Sequence, residues 1–262
     1  MLVLDAEEAE AKALYRKDTE LSEDDMQLIA QSAPSLKITS IYLHNCKIGR
    51  VGAGYLADAL PRCRSLTALE LGGNRILTLG ACAIAKILPH TQIEVLFLND
   101  NSIRDMAALA LAKALPHTQL KALFLRGNLI SDWGAKALAA AIPRSKLVEL
   151  SLSNNPIGLE GARALIDAVT APALPPPSLR KLHLAWIRTR YHDEEPLLDM
   201  LGSVDCWLTN LELDCGSGQK VKRLVDKRTT RQIMLVLLRA RRQLSPMARV
   251  PVELLRKMAP ML

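Results

Sequence analysis

From Leu66 onward the apolar positions recur with a fixed step. Leu66, Leu69, Leu71, Asn74 and Ile76 form the pattern L-x2-L-x-L-x2-N-x-I. It returns at Ile93, Leu96, Leu98, Asn101 and Ile103, at Leu120, Leu123, Leu125, Asn128 and Ile130, and at Leu147, Leu150, Leu152, Asn155 and Ile157. The step is 27 residues each time. Ile38, Ile41, Leu43 and Ile48 fit one repeat earlier, with Cys46 in the asparagine slot, and Leu179, Leu182, Leu184 and Leu208, Leu211, Leu213 are degraded later copies. Each copy continues through a small residue (Gly52, Gly80, Ala107, Gly134, Gly161) into an alanine-rich stretch with large apolar residues four apart: Leu56/Leu60, Ile84/Leu88, Leu111/Leu115, Leu138/Ile142, Leu165/Val169. That spacing puts both on one helix face, and the alanines favour helix. Each unit therefore reads as a short strand, a turn and an α-helix. Seven parallel strands are expected near 41–43, 69–71, 96–98, 123–125, 150–152, 182–184 and 211–213.

These residues resemble the leucine-rich repeat family in its ribonuclease-inhibitor-like class, carried also by NOD-like receptors. The resemblance implies an α/β horseshoe solenoid over residues 36–218, with parallel strands on the concave face and helices on the convex face. It implies that Asn74, Asn101, Asn128 and Asn155 sit inside the turns as a structural ladder, satisfying backbone groups of adjacent coils. Cys46 and Ile187 depart from the ladder, so the first and sixth turns should be looser. A solenoid must cover its apolar ends. Residues 1–35 are expected to form a helical N-terminal cap, with one helix over 22–31 capped by Ser22 and another over 6–17. The prolines of 171–178 should make a stiff loop, the HDEEP segment at 192–196 an irregular one, and the helix near 196–202 a short one.

Strand side chains alternate, so the residues between the leucines should face solvent on the concave side. That column reads Tyr42, Glu70, Phe97, Phe124, Ser151, His183 and Glu212, and the next one includes His44, Gly72, Asn99 and Arg126. Both phenylalanines of the chain fall side by side in the first column. An aromatic pair with a polar rim has the character of a protein-binding hot spot. Tyr42, Glu70, Phe97, Asn99, Phe124, Arg126, Ser151 and His183 are therefore the expected partner-binding residues. The same aromatics also suit simple cross-strand stabilisation of a sheet. Asp58, Lys86, Lys113, Ala140 and Asp167 read as a solvated convex face.

Composition and charge change the picture mainly at the ends. The 262 residues are 49% hydrophobic and 23% charged, a globular composition. Net charge is +7, yet residues 219–262 carry 12 Lys/Arg against two acidic residues, a net of +10. Five cysteines without a C-x-x-C pair argue against a disulfide framework or zinc ribbon and for a reducing compartment, cytoplasm or nucleus. No apolar run reaches a membrane span. No cofactor or metal site is expected. His90 and His117 recur within the copied string LPHTQ, Cys82, Cys206 and Cys215 read as core, and no phosphate loop follows Gly52-Ala53-Gly54. Nothing assembles a nucleophile, base and orienter, so no catalytic residue is expected.

Residues 219–262 lack the repeat and read as a basic helical module, with one helix over 222–242 and another from Val250. They suit a C-terminal cap. Two apolar helices around a proline-containing loop also resemble the SOCS box, and VPVELLRKMAPML resembles the opening of an F-box. Either would imply ubiquitin-ligase adaptor contact through 230–262. Nucleic acid or anionic membrane contact by 219–242 is a weaker reading, since no aromatic interleaves the charges. The pattern as a whole reads as a non-enzymatic protein–protein interaction scaffold, with substrate-recognition adaptor of a ubiquitin ligase and small-GTPase regulator as alternatives. The GTPase-activator family built of such repeats carries an acidic tail, whereas this chain ends basic.

Overall fold

The computed structural model describes residues 13–170, 177–185, 210–214 and 221–224. Strands and helices alternate: β1 (Ala13–Lys17), α1 (Glu23–Ser32), β2 (Ser40–His44), α2 (Gly49–Ala59), β3 (Ala68–Glu70), α3 (Leu77–Ile87), β4 (Val95–Phe97), α4 (Asp105–Ala114), β5 (Ala122–Phe124), α5 (Asp132–Ala141), β6 (Glu149–Ser151), α6 (Leu159–Thr170), β7 (Lys181–Ala185), β8 (Asn210–Asp214) and β9 (Val221–Leu224). The strands form one open sheet in chain order. Pairing from β1 to β8 is parallel, and β9 joins β8 antiparallel. All seven expected strands are present. Each helix packs on the helices of the neighbouring coils. Parallel strands lie about 4.8 Å apart and packed helices about 8–10 Å apart. A stack of such coils therefore bends with its sheet on the inside, which makes the sheet face concave.

The register repeats without slippage. Leu69, Leu96, Leu123, Leu150 and Leu182 are mutual partners along the sheet. All five are fully buried, as are Leu71, Leu98, Leu125, Leu152 and Leu184. Truncating one of these to alanine would cost about 2–5 kcal/mol. The helices contribute Leu56, Ile84, Leu111, Leu138 and Leu165 from the other side. Each of α2–α5 stops at a proline (Pro61, Pro89, Pro116, Pro143) in a following 3-10 turn. Proline has no N–H with which to continue the helix. Thr91, Thr118 and Ser145 then close the turn by donating to the carbonyls of Leu88, Leu115 and Ile142 at 2.9, 3.0 and 2.9 Å.

The ends differ from the expectation of purely helical caps. Ser22 does cap α1, in a reciprocal pair with Asp25. Residues 13–17, expected within a helix over 6–17, are instead β1, paired with the whole of β2. The pairing satisfies the edge of β2 and buries Leu14 in the core, which outweighs local helix preference. At the other end, 221–224 extend the sheet where a helix beginning at Lys222 was expected. The loops at 171–176 and 192–196, the helix near 196–202, Ile187, and the expected helices beyond 224 lie outside the described residues.

Candidate functional site

The sheet face presents one unbroken row, set by the register: Tyr15, Tyr42, Glu70, Phe97, Phe124, Ser151 and His183. At its centre Phe97 and Phe124 stack with ring centroids 4.4 Å apart and planes 5° from parallel. Tyr15 and Tyr42 form a second, tilted pair with centroids 6.2 Å apart. Both phenylalanines remain partly exposed. Stacking covers one face of each ring, and part of each ring stays open to solvent.

Polar groups flank the aromatic centre on both sides. The Glu70 Oε1 lies 3.1 Å from the His44 Nδ1 and accepts from the Gly72 N–H at 2.8 Å. Its Oε2 is buried without a hydrogen-bond partner among the described residues. A side chain at Gly72 would stand 2.6 Å from the Glu70 carboxylate, so glycine there keeps the pair in place. On the far side Glu149 meets the Lys181 Nζ at 3.0 Å and the His183 Nε2 at 3.2 Å. Asn99 spends its side-chain carbonyl on the Arg126 N–H at 2.9 Å, while the Arg126 side chain is exposed. Ser151, expected to face solvent, is only 7% exposed, because its short side chain does not reach past its register neighbours Phe124 and His183. The candidate site thus centres on Tyr42, Glu70, Phe97, Phe124 and Arg126, with Asn99 and Ser151 largely engaged within the protein. The convex column Asp58, Lys86, Lys113, Ala140 and Asp167 is exposed throughout.

Behind the row, buried asparagines fix the turns. The Asn101 Oδ1 accepts from the N–H groups of Asn74 and Ile76 at 3.0 and 3.1 Å, and its Nδ2 donates to the carbonyls of Leu71 and Asn99. Asn128 repeats this one coil on, accepting from Asn101 and Ile103 and donating to Leu98, Leu125 and Arg126. The Asn155 Oδ1 accepts from Ile130, and the Asn74 Oδ1 from Cys46 at 2.7 Å. In the asparagine slot of its own coil, the Cys46 thiol points at the carbonyls of His44 and Arg16, 3.3 and 3.6 Å away. Sulfur is a weak donor, so this turn is held more loosely.

Two further columns carry structure that the repeat pattern had not disclosed. Asp18, Asn45, Gly73, Asp100, Gly127 and Asn154 recur at the turn with positive φ, and every one is a residue type that tolerates the left-handed region. At Gly127 a side chain would also meet the Asp100 carboxylate at 1.8 Å. The second column runs through the helix starts. The Asp105 carboxylate accepts from the Ser131 N–H and hydroxyl, both at 2.7 Å, and from the Gly134 N–H at 3.1 Å. Asp132 does the same for Gly158 and Gly161 at 2.7 and 2.8 Å. Each aspartate caps the helix of the next coil. Acidic residues in a first helical turn were visible in the sequence, but their reach across coils was not.

The thiols of Cys46, Cys63 and Cys82 are pushed up from their ordinary value, chiefly by burial, which suppresses the reactive thiolate. His90 and His117 are exposed in the 3-10 turns after α3 and α4. Among the described residues no three His, Cys, Asp or Glu side chains gather as a metal site, and no helix is long and apolar enough to cross a membrane.

Residues 62–85 and 145–165 match the family model described as Leucine Rich repeat. No curated protein matches the chain. Among solved structures, one titled "Leiomodin-1 Actin-Binding Site 2 (ABS2)" is similar, with 15% sequence identity and a TM-score of 0.42, covering 86% of this chain and 99% of that one. Each matched stretch contains one strand and most of the helix that follows it, and the intervening coils align with both in strict register. The repeats thus extend beyond the two matched stretches, and the fold is that of a leucine-rich-repeat α/β solenoid.

Proposed function

We propose that this protein is a non-enzymatic scaffold that binds a protein partner on its concave sheet face, centred on Phe97 and Phe124. The observation that carries the reading is the parallel phenylalanine stack, partly open to solvent, at the centre of a row of aromatic and charged side chains. The rigidity of the row supports it too. The strands from β2 to β6 are tied to one another by the sheet and by the asparagines beneath, so a partner would pay little to order the surface it meets. A partner side chain laid across the two rings would bury apolar area, with the exposed Arg126 guanidinium at the rim offering a positive charge. The test is quantitative affinity capture from cell extract, with the full chain as bait. Phe97→Ala/Phe124→Ala should lose the captured partner, weakening binding by about 2 kcal/mol or more. Lys113→Ala, on the convex side, should retain it. Capture unchanged by the double substitution would refute the reading.

A further inference from the structure

The exposed apolar side chains are not scattered over the surface. Of the ten large ones among the described residues, six lie on a single edge of the solenoid, where strands turn into helices: Val51, Leu77, Leu79, Met106, Leu129 and Trp133, with Leu109 one turn further along α4. Four occupy one repeat position on successive coils. Val51, Leu79, Met106 and Trp133 follow each other at the steps of the repeat, in the first turns of α2 to α5. They are 42%, 66%, 69% and 82% exposed. With helices about 8–10 Å apart, the stripe runs some 25–30 Å. Isolated exposed leucines need no explanation, but a contiguous row ending in a nearly bare tryptophan does.

Leu77 sharpens the point. It takes φ 60, a conformation in which the equivalent position of the preceding coil has Gly49 at φ 64. Leucine there costs about 1–2 kcal/mol in backbone strain, and its side chain is exposed. Neither backbone preference nor burial accounts for it. Leu77, Leu79 and Leu129 line a groove of about 380 Å³ together with Thr78, Ser102 and two arginines, Arg50 and Arg104.

Charge on this edge is mostly positive, although Asp100 is exposed in the loop before α4. Arg50 and Arg104 are exposed and make no ion pair among the described residues. The carboxylates at the helix starts are committed: Asp105 and Asp132 hold the next coils, and Glu160 pairs with Lys136 at 3.3 Å. A groove with leucine walls and unpaired guanidinium groups complements an amphipathic segment that has one apolar face and carboxylates beside it. We propose that this edge is a second docking surface, separate from the concave face, for an acidic amphipathic helix of a protein partner. Its apolar face would cover Leu79, Met106 and Trp133, and its carboxylates would meet Arg50 and Arg104.

The test uses the full chain and three labelled peptides that share one amphipathic leucine pattern and carry Glu, Gln or Lys on the polar face. Fluorescence anisotropy should show binding of the Glu peptide, falling in about 1 M salt where screening acts over about 3 Å. Trp133→Ser and Arg50→Glu/Arg104→Glu should each weaken it about tenfold or more. Phe97→Ala/Phe124→Ala should leave it unchanged, which separates this proposal from the concave-face reading. Hydroxyl-radical footprinting gives a second readout. Met106 and Trp133 should label strongly in the free protein and be protected by the Glu peptide. The proposal is overturned if the three peptides bind alike, if the Glu peptide does not bind, or if binding survives Trp133→Ser. Protection of Met106 and Trp133 in the free protein would overturn it as well. If Trp133→Ser then also turned a dimer into a monomer, the face would belong to a second copy of this chain.

Discussion

Removing the Asn128 side chain probes the solenoid where the coils are tied together. Its Oδ1 is the acceptor for two buried N–H groups, Asn101 and Ile103, both at 3.0 Å. Its Nδ2 serves three carbonyls of two coils. Alanine would strand both N–H groups. Each buried donor left without a partner costs about 1–3 kcal/mol, so two give about 2–6. The carbonyls lose less, since each has a second lone pair. A water entering the polar hole would recover part of the loss, which leaves about 2–4 kcal/mol. The control is Asn154→Gly at the neighbouring position. Asn154 is exposed with φ 55, so alanine there would be strained, whereas glycine adopts this conformation freely and should change stability by about 0.5 kcal/mol or less. Urea unfolding at constant m reads both variants. A loss below about 1 kcal/mol for Asn128→Ala, or equal losses for the two, would refute the account of the ladder.

Further outcomes follow from other columns. Asp105→Ala should cost about 1–3 kcal/mol by freeing the Ser131 and Gly134 N–H groups, and Lys113→Ala on the exposed surface of the same helix should be neutral by the same denaturation assay. Cys46→Asn should raise the unfolding free energy by about 1 kcal/mol, because an amide replaces weak thiol contacts at 3.3 and 3.6 Å. The raised thiols bind their protons more tightly in the folded state. Their contribution to stability is therefore complete below the ordinary value of about 9 and declines as pH rises above it. Stability measured from pH 8 to about 11 should fall more gently in Cys46→Ala/Cys63→Ala than in the parent chain.

How much of this was legible in the sequence depends on what each column does. Strand positions were readable because the leucines must all point into one core, and any shift of register would turn them out. β1 escaped notice because of the pattern only Leu14 and Leu21 keep their slots. Arg16 stands where Leu43 stands in the next coil, and Thr19 where Cys46 does, and the acidic, alanine-rich approach looks helical. What makes 13–17 a strand is the unpaired edge of β2, a partner that local preference does not register. The left-handed turn column was in principle visible, since Asp, Asn and Gly are the residue types that accept such backbone. The Asp105 and Asp132 caps were hidden because their targets lie a full coil away. On the sheet face the row was readable from alternation alone. The burial of Ser151 and the diversion of Asn99 were not, because both depend on the size and bonding of neighbours across strands.

Site-specific photo-crosslinking tests the central claim most directly. A benzoylphenylalanine placed at Tyr42 or at Phe124 keeps an aromatic side chain on the concave row, and one at Lys113 samples the convex surface. The account predicts that the captured partner crosslinks from Tyr42 and Phe124 and not from Lys113. Crosslinking from Lys113, with none from the two concave positions, would contradict it.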